Sequence, residues 1–299
     1  MTQRRFGEPL PLGDDKLPYS KGLMARALIA TGVPADRAYQ LARALELDLA
    51  GTGERTVGFD RFAEVAREVL GEEAGDHAVQ SLRRLEDLNA LDMPVIVLIG
   101  GTTGTGKSTI ASEVAHRLGI TRVTSSDFIR ETMRAFFSYE EMPAIHSSSF
   151  EAGSTLDGDD DPLIAGFVEQ SRHVCVGVDA AMRRSLTEGW SMVLEGVHLV
   201  PGMVPASLEG ALILHVVVEI ANEDAHRMHF HVRDTATGGV RAMDKYLERI
   251  DDIRRIQSFL VDRAQREGVE VVENANVERA IDSVIALAMG LADRVGRPV

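Results

Sequence analysis

Residues 19–90 carry apolar side chains at every third or fourth position, which is the spacing of amphipathic helices, after a Pro/Gly-rich segment at 1–18 that is expected to be extended. Glycine, proline and polar residues interrupt the pattern and predict four helices, at 20–29, 35–49, 59–70 and 73–88. Ser20 stands where it could cap the first helix. A short strand is expected at 55–58. The pattern therefore predicts a small, mainly helical domain over residues 1–90.

Beyond Met93 the pattern changes to short apolar runs that alternate with longer helical stretches. The runs predict strands at 94–100, 121–124, 192–195, 211–219 and 269–272, and the other stretches predict helices at 107–118, 126–137, 162–188, 240–267 and 276–290. Continuous apolar runs are typical of parallel strands that are buried on both faces. Residues 91–299 are therefore predicted to form an α/β domain with a parallel five-stranded sheet flanked by helices.

A phosphate-binding motif follows the first predicted strand. It reads Gly101-Thr102-Thr103-Gly104-Thr105-Gly106-Lys107-Ser108 and matches G-x-x-x-x-G-K-[ST] at every fixed position. A strand before it and a helix after it would let backbone N–H groups and the helix N-terminus surround a triphosphate. We therefore expect the segment through Thr109 to bind ATP, with Lys107 at the β- and γ-phosphates and Ser108 on Mg²⁺. A glycine-rich turn without a ligand is the alternative.

Acidic residues stand at the ends of two predicted strands. Glu195 ends the strand at 192–195, where it could orient water on Mg²⁺ or simply lead into a polar loop. Asp127 follows the strand at 121–124, where the next predicted helix begins. It could accept the proton of an attacking hydroxyl or contact Mg²⁺ through water, or it could only cap the helix. Because ligands bind beyond the carboxyl ends of parallel strands, we expect both carboxylates in the site.

Histidines and arginines cluster after the strand at 211–219. The run is His226-Arg227-Met228-His229-Phe230-His231-Val232-Arg233. A mobile segment here could close over ATP, with Arg227 binding the nucleotide and Arg233 acting on the transferring phosphoryl group. The spacing of the three histidines does not favour a metal site, and solvent-exposed lid residues are the alternative.

Four further residues are predicted to bind the second substrate, and they are Arg130, Arg134, His146 and Ser147. Arg130 and Arg134 are i, i+4 neighbours on the helix that begins near Asp127. A guanidinium fork binds carboxylate and phosphate bidentately, so an anionic small molecule is the expected partner. A solvent-exposed helix face is the alternative. The acidic segment at 151–162 departs from calcium-loop patterns and is interpreted as a solvated loop.

Composition narrows the class of protein. The 299 residues include 46 acidic and 32 basic ones, a net charge of −14, which argues against binding to nucleic acid or an anionic membrane. Cys175 is the single cysteine, so an intrachain disulfide is excluded. The N-terminal residues lack the apolar stretch of a signal peptide, and no apolar run is long enough to span a bilayer. We expect a cytoplasmic protein, with homo-oligomerisation left open.

Several segments together resemble the 2-phosphoglycerate kinase family. They are Ile99–Ala111, His116–Ile120, Ser126–Arg130, Pro143–Phe150, Leu194–His198, Tyr246–Leu247 and Ile253–Gln257. The stretch Pro18–Leu23 resembles the ATP-cone that precedes such kinases. The resemblance covers most of the chain and is more specific in the kinase part.

The resemblance implies a P-loop nucleotide-kinase-like fold and transfer from ATP to the 3-hydroxyl of 2-phosphoglycerate, giving 2,3-bisphosphoglycerate. It also implies that residues 1–90 sense a nucleotide. The residues alone indicate an ATP- and Mg²⁺-dependent small-molecule kinase. A kinase of another phosphorylated or polyhydroxy acceptor or of a nucleoside remains an alternative, as does an ATP-binding switch that transfers no phosphoryl group.

Overall fold

The computed structural model describes Leu12 and residues 18–91, 93–155, 161–237 and 243–295, with side chains throughout except at 154–155, 231–237, 243 and 294–295. The strands are β1 (Val95–Gly100), β2 (Val123–Ser125), β3 (Met192–Gly196), β4 (Leu212–Glu219) and β5 (Glu270–Glu273). The α-helices are α1 (Lys21–Ala30), α2 (Ala35–Thr52), α3 (Phe59–Leu70), α4 (Glu72–Ala90), α5 (Lys107–Arg117), α6 (Ser126–Arg134), α7 (Pro162–Glu188), α8 (Glu223–Thr237), α9 (Met243–Glu248), α10 (Ile250–Glu267), α11 (Val277–Met289) and α12 (Leu291–Val295). Short 3₁₀ helices cover Pro143–His146 and Ala152–Thr155.

The chain forms two compact units. One contains residues 1–93, 114–120 and 282–299, and the other contains 94–113 and 121–281. In the first unit, helices α1 to α4 bury apolar faces that include Leu28, Leu41 and Leu82. The Ser20 hydroxyl accepts from the backbone N–H of Leu23 at 3.4 Å, as expected of the cap of α1.

The predicted strand at 55–58 is wrong. The Arg55 carbonyl accepts one hydrogen bond, from the backbone N–H of Tyr19 at 2.8 Å, but the segment joins no ladder of strand pairs. The two β-branched residues Thr56 and Val57 stand between Arg55 and Gly58, and a run of two is too short to predict a strand. This unit is therefore helical in its regular elements.

The second unit contains the predicted sheet, which is confirmed. Its strand order is β2-β3-β1-β4-β5, and every pair is parallel. All six residues of β1 and all five of β3 are buried, as the continuous apolar runs predicted. Parallel pairing brings the carboxyl ends of β1, β2 and β3 to one edge, where the predicted chemistry lies.

Buried side chains from helices cover the sheet. One cluster joins α7 to β1 and β3 through residues such as Val174, Val178 and Leu194. A second joins α7, α8 and α10 through residues such as Phe167 and Phe230. Together they fix α7, α8 and α10 relative to the strand ends.

Two predicted helices end or divide differently from expectation, and one helix, α8, was not predicted. The helix predicted at 126–137 ends at Arg134, and the one predicted at 240–267 divides into α9 and α10 around Arg249. The run expected to be a mobile lid belongs to the helix α8. Phe230 anchors α8 in the core, and Ile250 and Ile253 anchor α10. The spacing of apolar residues alone did not show where one helix ends and the next begins. No helix in the described part of the chain is long and apolar enough to cross a bilayer.

Candidate active site

The phosphate-binding loop connects β1 to α5. Lys107 is the first residue of α5, and its Nζ donates to the Thr102 carbonyl at 3.2 Å. The Thr105 hydroxyl donates to the same carbonyl at 3.0 Å, and the side chains of Thr102 and Thr105 are buried. The lysine thus lies folded over its own loop, close to where a bound phosphate would need a positive charge.

Residues from outside the motif hold the loop. On α8, His226 Nε2 lies 2.9 Å from the Thr103 carbonyl and His229 Nδ1 lies 3.1 Å from the Gly104 carbonyl. Asn274, just after β5, donates from Nδ2 to the Thr105 carbonyl at 2.9 Å. Asn274 was not predicted as a site residue, although its place just after the last predicted strand is where ligand-binding residues of parallel sheets lie.

Glu195 and Ser108 are brought together at the sheet edge. Glu195 lies between Ile99 and Ser125 in the strand register, and it is buried. The Ser108 hydroxyl donates to Glu195 Oε1 at 3.0 Å. A hydroxyl and a carboxylate this close offer the oxygen ligands that Mg²⁺ prefers, and Mg²⁺ normally keeps several waters in addition.

Asp127 does not cap α6. The cap is Ser125, whose hydroxyl accepts from the backbone N–H of Phe128 at 3.0 Å. Asp127 lies in the first turn of the helix, and its Oδ1 is 3.5 Å from Arg130 Nε. The structure therefore removes the cap explanation and leaves the Asp127 carboxylate for another role.

Charged neighbours keep Asp127 ionised. Desolvation on its own would raise the pKa of this carboxyl. The His198 ring, which is charged only at low pH, and the positive charges of Lys107 and Arg130 hold the pKa below its ordinary value. Its position in the first turn of α6 also favours the negative form.

A buried hydrogen-bond network around His198 and Gln170 was not predicted from the sequence. His198 is fully buried, with Nδ1 2.8 Å from the Ser126 hydroxyl and Nε2 3.0 Å from Gln170 Oε1. Gln170 Nε2 donates to the carbonyls of Ala144 and Ser147 at 2.5 and 2.9 Å. Burial lowers the pKa of His198 to about 4. The ring is therefore neutral at neutral pH and links α6, α7 and the 143–147 segment.

The residues predicted to bind the second substrate have separate partners. Arg130 Nη1 donates to the carbonyls of Ile145 and Ser147 at 2.8 and 3.2 Å. Arg134 pairs with Glu131 at 2.8 Å. His146 Nε2 lies 3.0 Å from the carbonyl of Phe137. Arg130 is thus tied to the 145–147 backbone, whereas Arg134 belongs to a pair on its own helix.

A cavity of about 640 Å³ opens beside Ser147. Lys245 and Arg249 line it and were not predicted as site residues. Lys245 pairs with Glu151 at 3.0 Å, and Arg249 Nη2 donates to the Phe150 carbonyl at 3.1 Å. Glu151, Glu248 and Asp252 line the cavity too, and Arg249 pairs with Asp252 at 3.0 Å, so both positive charges are matched by carboxylates.

Arg227, which was predicted to bind the nucleotide, bonds to its own helix instead. Arg227 donates from Nε and Nη2 to Glu223 Oε1, at 3.0 and 2.8 Å, in a surface pair on α8. Arg233 lies in the same helix, but its side chain is outside the described residues. In the acidic segment, Asp161 caps α7 and pairs with Arg255 at 2.8 Å, while 156–160 lie outside the description.

Known proteins resemble the chain over nearly all of its length. A 2-phosphoglycerate kinase from Methanopyrus kandleri is 35% identical over 91% of this chain and 84% of its own. Another from Pyrococcus furiosus is 34% identical over 91% of this chain and 90% of its own. No family model matches. A solved gluconokinase from Sinorhizobium meliloti is only 14% identical, over 68% of this chain and 96% of its own, with a TM-score of 0.41, and the assignment does not depend on it. At this identity and coverage, the chain belongs to the 2-phosphoglycerate kinase family.

Proposed function

We propose that this protein transfers a phosphoryl group from ATP to the 3-hydroxyl of 2-phosphoglycerate, giving 2,3-bisphosphoglycerate. The observation that carries the kinase class is the placement of Ser108 against Glu195 beside Lys107, at the edge where the phosphate loop leaves the sheet. The acceptor is proposed from the names of the relatives that align with nine-tenths of the chain.

On the nucleotide side, the residues fit Mg²⁺ and a triphosphate. Ser108 and Glu195 would hold Mg²⁺, which supplies charge neutralisation at the phosphate oxygens. Lys107 would exchange its bond to the Thr102 carbonyl for one to a phosphate. That exchange replaces a neutral acceptor by a charged one and is therefore favourable.

On the acceptor side, Asp127 would orient the attacking hydroxyl and accept its proton. Its lowered pKa keeps the carboxylate available at neutral pH, and phosphoryl transfer asks for positioning more than for a strong base. Arg130 holds the backbone of Ser147 beside the cavity, so the arginine shapes the acceptor site through the 145–147 segment. Lys245 and Arg249 could meet the acceptor's anionic groups once their present carboxylate partners are displaced.

We further propose that residues 19–90 bind a second, regulatory nucleotide, as the ATP-cone resemblance suggests. A groove of about 700 Å³ in this unit is lined by Val33, Arg37, Leu70 and His77 among others. Lys21 now pairs with Glu46 at 3.0 Å. Titration calorimetry of the full-length Lys107→Ala protein with ATP and dATP should reveal this site, and Lys21→Ala in that background should weaken it. Absence of any heat would leave a structural helical domain.

The experiment for the kinase function measures ADP release by the full-length enzyme with ATP and Mg²⁺. The acceptor panel contains 2-phosphoglycerate, 3-phosphoglycerate, glycerate, gluconate and nucleosides, and phosphorus NMR identifies the product. We expect turnover with 2-phosphoglycerate and little with glycerate, which lacks the phosphate. Turnover of only another acceptor would overturn the substrate assignment. ATP binding without turnover of any acceptor would favour a regulatory switch.

A further inference from the structure

Three successive carbonyls of the phosphate loop each bond to a side chain from elsewhere in the fold. Thr103 and Gly104 meet His226 and His229 of α8, and Thr105 meets Asn274 after β5. The Thr102 hydroxyl adds a fourth tie, donating to the Ile253 carbonyl of α10 at 3.3 Å. The loop is therefore held from three elements that lie outside the motif.

These bonds fix the direction of the loop's N–H groups. A carbonyl and the following N–H lie on opposite edges of one planar peptide. A donor that holds the Thr103 carbonyl turns the Gly104 N–H the other way, and the bond from Asn274 does the same for Gly106. A phosphate-binding loop needs its N–H groups to converge on the ligand before the ligand arrives.

His226 is suited to this fixed role. Its ring is fully buried and stacks on Phe230, with centroids 5.4 Å apart and an interplanar angle of 15°. Phe230 stacks in turn on Tyr246, at 5.3 Å and 6°. Nε2 must carry the proton that bonds to the Thr103 carbonyl, while the buried Nδ1 atom has no partner among the described residues. The ring can therefore make one useful hydrogen bond, and that bond is to the loop.

We propose that His226 and His229 are positioning residues that set the phosphate loop for nucleotide binding, by donating from α8 to two of its carbonyls. Neither ring is required to touch the nucleotide in this role. The proposal rests on nucleotide binding by the phosphate loop and is independent of which acceptor is phosphorylated.

The test uses paired substitutions in the full-length protein. His226→Leu and His229→Leu remove the donors. His226→Gln places an amide N–H near Nε2, and His229→Asn places one near Nδ1, so each keeps a donor at the right atom. Met228→Gln, on the exposed side of the same helix, is the matched control. Binding of a non-hydrolysable ATP analogue with Mg²⁺ is measured without acceptor, and thermal melting without nucleotide.

Each leucine variant should bind the analogue about five- to tenfold more weakly, since a loop carbonyl loses its donor. The Gln and Asn variants should stay within about threefold of the wild type, and Met228→Gln should match it. With ATP and an acceptor, KM for ATP should rise more than kcat falls.

Two results would overturn the proposal. One is wild-type affinity for the analogue in a folded His229→Leu protein. This variant should fold even if His226→Leu does not, because His229 is only partly buried. The other is equal weakening by the leucine and amide variants, which would assign the effect to packing. Failure of 2-phosphoglycerate as an acceptor would contradict only the proposed substrate, because the binding assay contains no acceptor.

Discussion

The nucleotide side and the proposed acceptor side of this site are built differently. On the nucleotide side, Thr102, Thr105 and Glu195 are buried, and the loop is bonded to residues far along the chain. On the proposed acceptor side, Arg134 pairs with Glu131 and Lys245 pairs with Glu151. A phosphate at the loop would displace one bond between Lys107 and a carbonyl, while an anionic acceptor would have to displace whole ion pairs. Preorganisation therefore predicts large mutational effects on the first side and smaller, substrate-specific effects on the second.

Lys107→Ala should show the largest effect. Removing the ammonium takes away charge stabilisation at the β- and γ-phosphates, and we expect a loss of roughly 10²-fold or more in kcat/KM. The fold should survive, because Lys107 begins a helix and its hydrogen bond within the described part of the chain is to its own loop. Steady-state kinetics with circular dichroism as a folding control checks this. Near-wild-type turnover in a folded variant would contradict the assignment of the loop.

Glu195→Gln should come next. Loss of the carboxylate should weaken the proposed Mg²⁺ site with Ser108, and we expect about 10- to 100-fold lower activity at limiting Mg²⁺. Raising the Mg²⁺ concentration should restore part of it. The amide remains large enough to bond to the Ser108 hydroxyl, so thermal stability should change little. If activity depends on the Mg²⁺ concentration as in the wild type, Glu195 does not bind Mg²⁺ and is simply the polar end of a strand.

Asp127→Asn should act on the chemical step. We expect kcat to fall by about tenfold or more while the Kd of the nucleotide changes little, because the proposed role of the carboxylate is at the acceptor hydroxyl. Since the folded pKa lies below the ordinary value, this group stays charged at neutral pH. Its contribution to activity and to stability should be lost only as the pH falls below about 4. A drop in thermal stability without a kinetic effect would contradict this role.

Arg130→Lys and Arg134→Lys sharpen the comparison within the acceptor side. Lys keeps the charge but loses the planar guanidinium of Arg130, whose Nη1 bonds to two carbonyls while its Nε lies near Asp127. We expect the acceptor KM to rise by about tenfold for Arg130→Lys and by less for Arg134→Lys, whose ion pair with Glu131 is on the helix surface. The KM for ATP should not move in either variant. If both variants have the same acceptor KM as the wild type, neither arginine contributes to binding of the acceptor.

Arg227→Ala should give the smallest effect. The side chain pairs with Glu223 on the helix surface, and exposed pairs of this kind contribute little. We expect the KM for ATP to stay within about twofold of the wild type. A tenfold rise would mean that Arg227 leaves Glu223 and reaches the nucleotide, as the sequence first suggested.

The sequence predicted that Lys107, Ser108 and Glu195 lie at one edge of the sheet, as they do, because the signals for them are local. Lys107 and Ser108 lie in one contiguous motif, and Glu195 follows from the rule that ligands meet strand ends. The strand order and the contact between Ser108 and Glu195 needed the fold. Even so, one local signal was overlooked: Glu223 stands four residues before Arg227, the spacing of a helical ion pair.

The acceptor side was harder to predict because its contacts are made through backbone atoms. Arg130 bonds to the carbonyls of Ile145 and Ser147. Every residue has a backbone carbonyl, so the sequence does not show which ones an arginine will contact. His198 is a similar case, since its role depends on Ser126 and Gln170 from two other elements. Residue chemistry alone does not reveal such tertiary pairings.

The ties that hold the phosphate loop also restrict which residues the motif can accept. A Cβ atom at Gly104 would lie 2.6 Å from the Phe230 ring and 2.9 Å from His226 Nε2, and one at Gly106 would lie 2.5 Å from Asn274 Nδ2. Both glycines also have left-handed backbone angles, with φ of +89° and +83°. The two glycines are thus required twice, by their own conformation and by side chains far along the chain. Shortening Asn274 would lift only the second requirement at Gly106, and at Gly104 both Phe230 and His226 would have to be shortened. A motif that looks local in the sequence is therefore also fixed by tertiary packing.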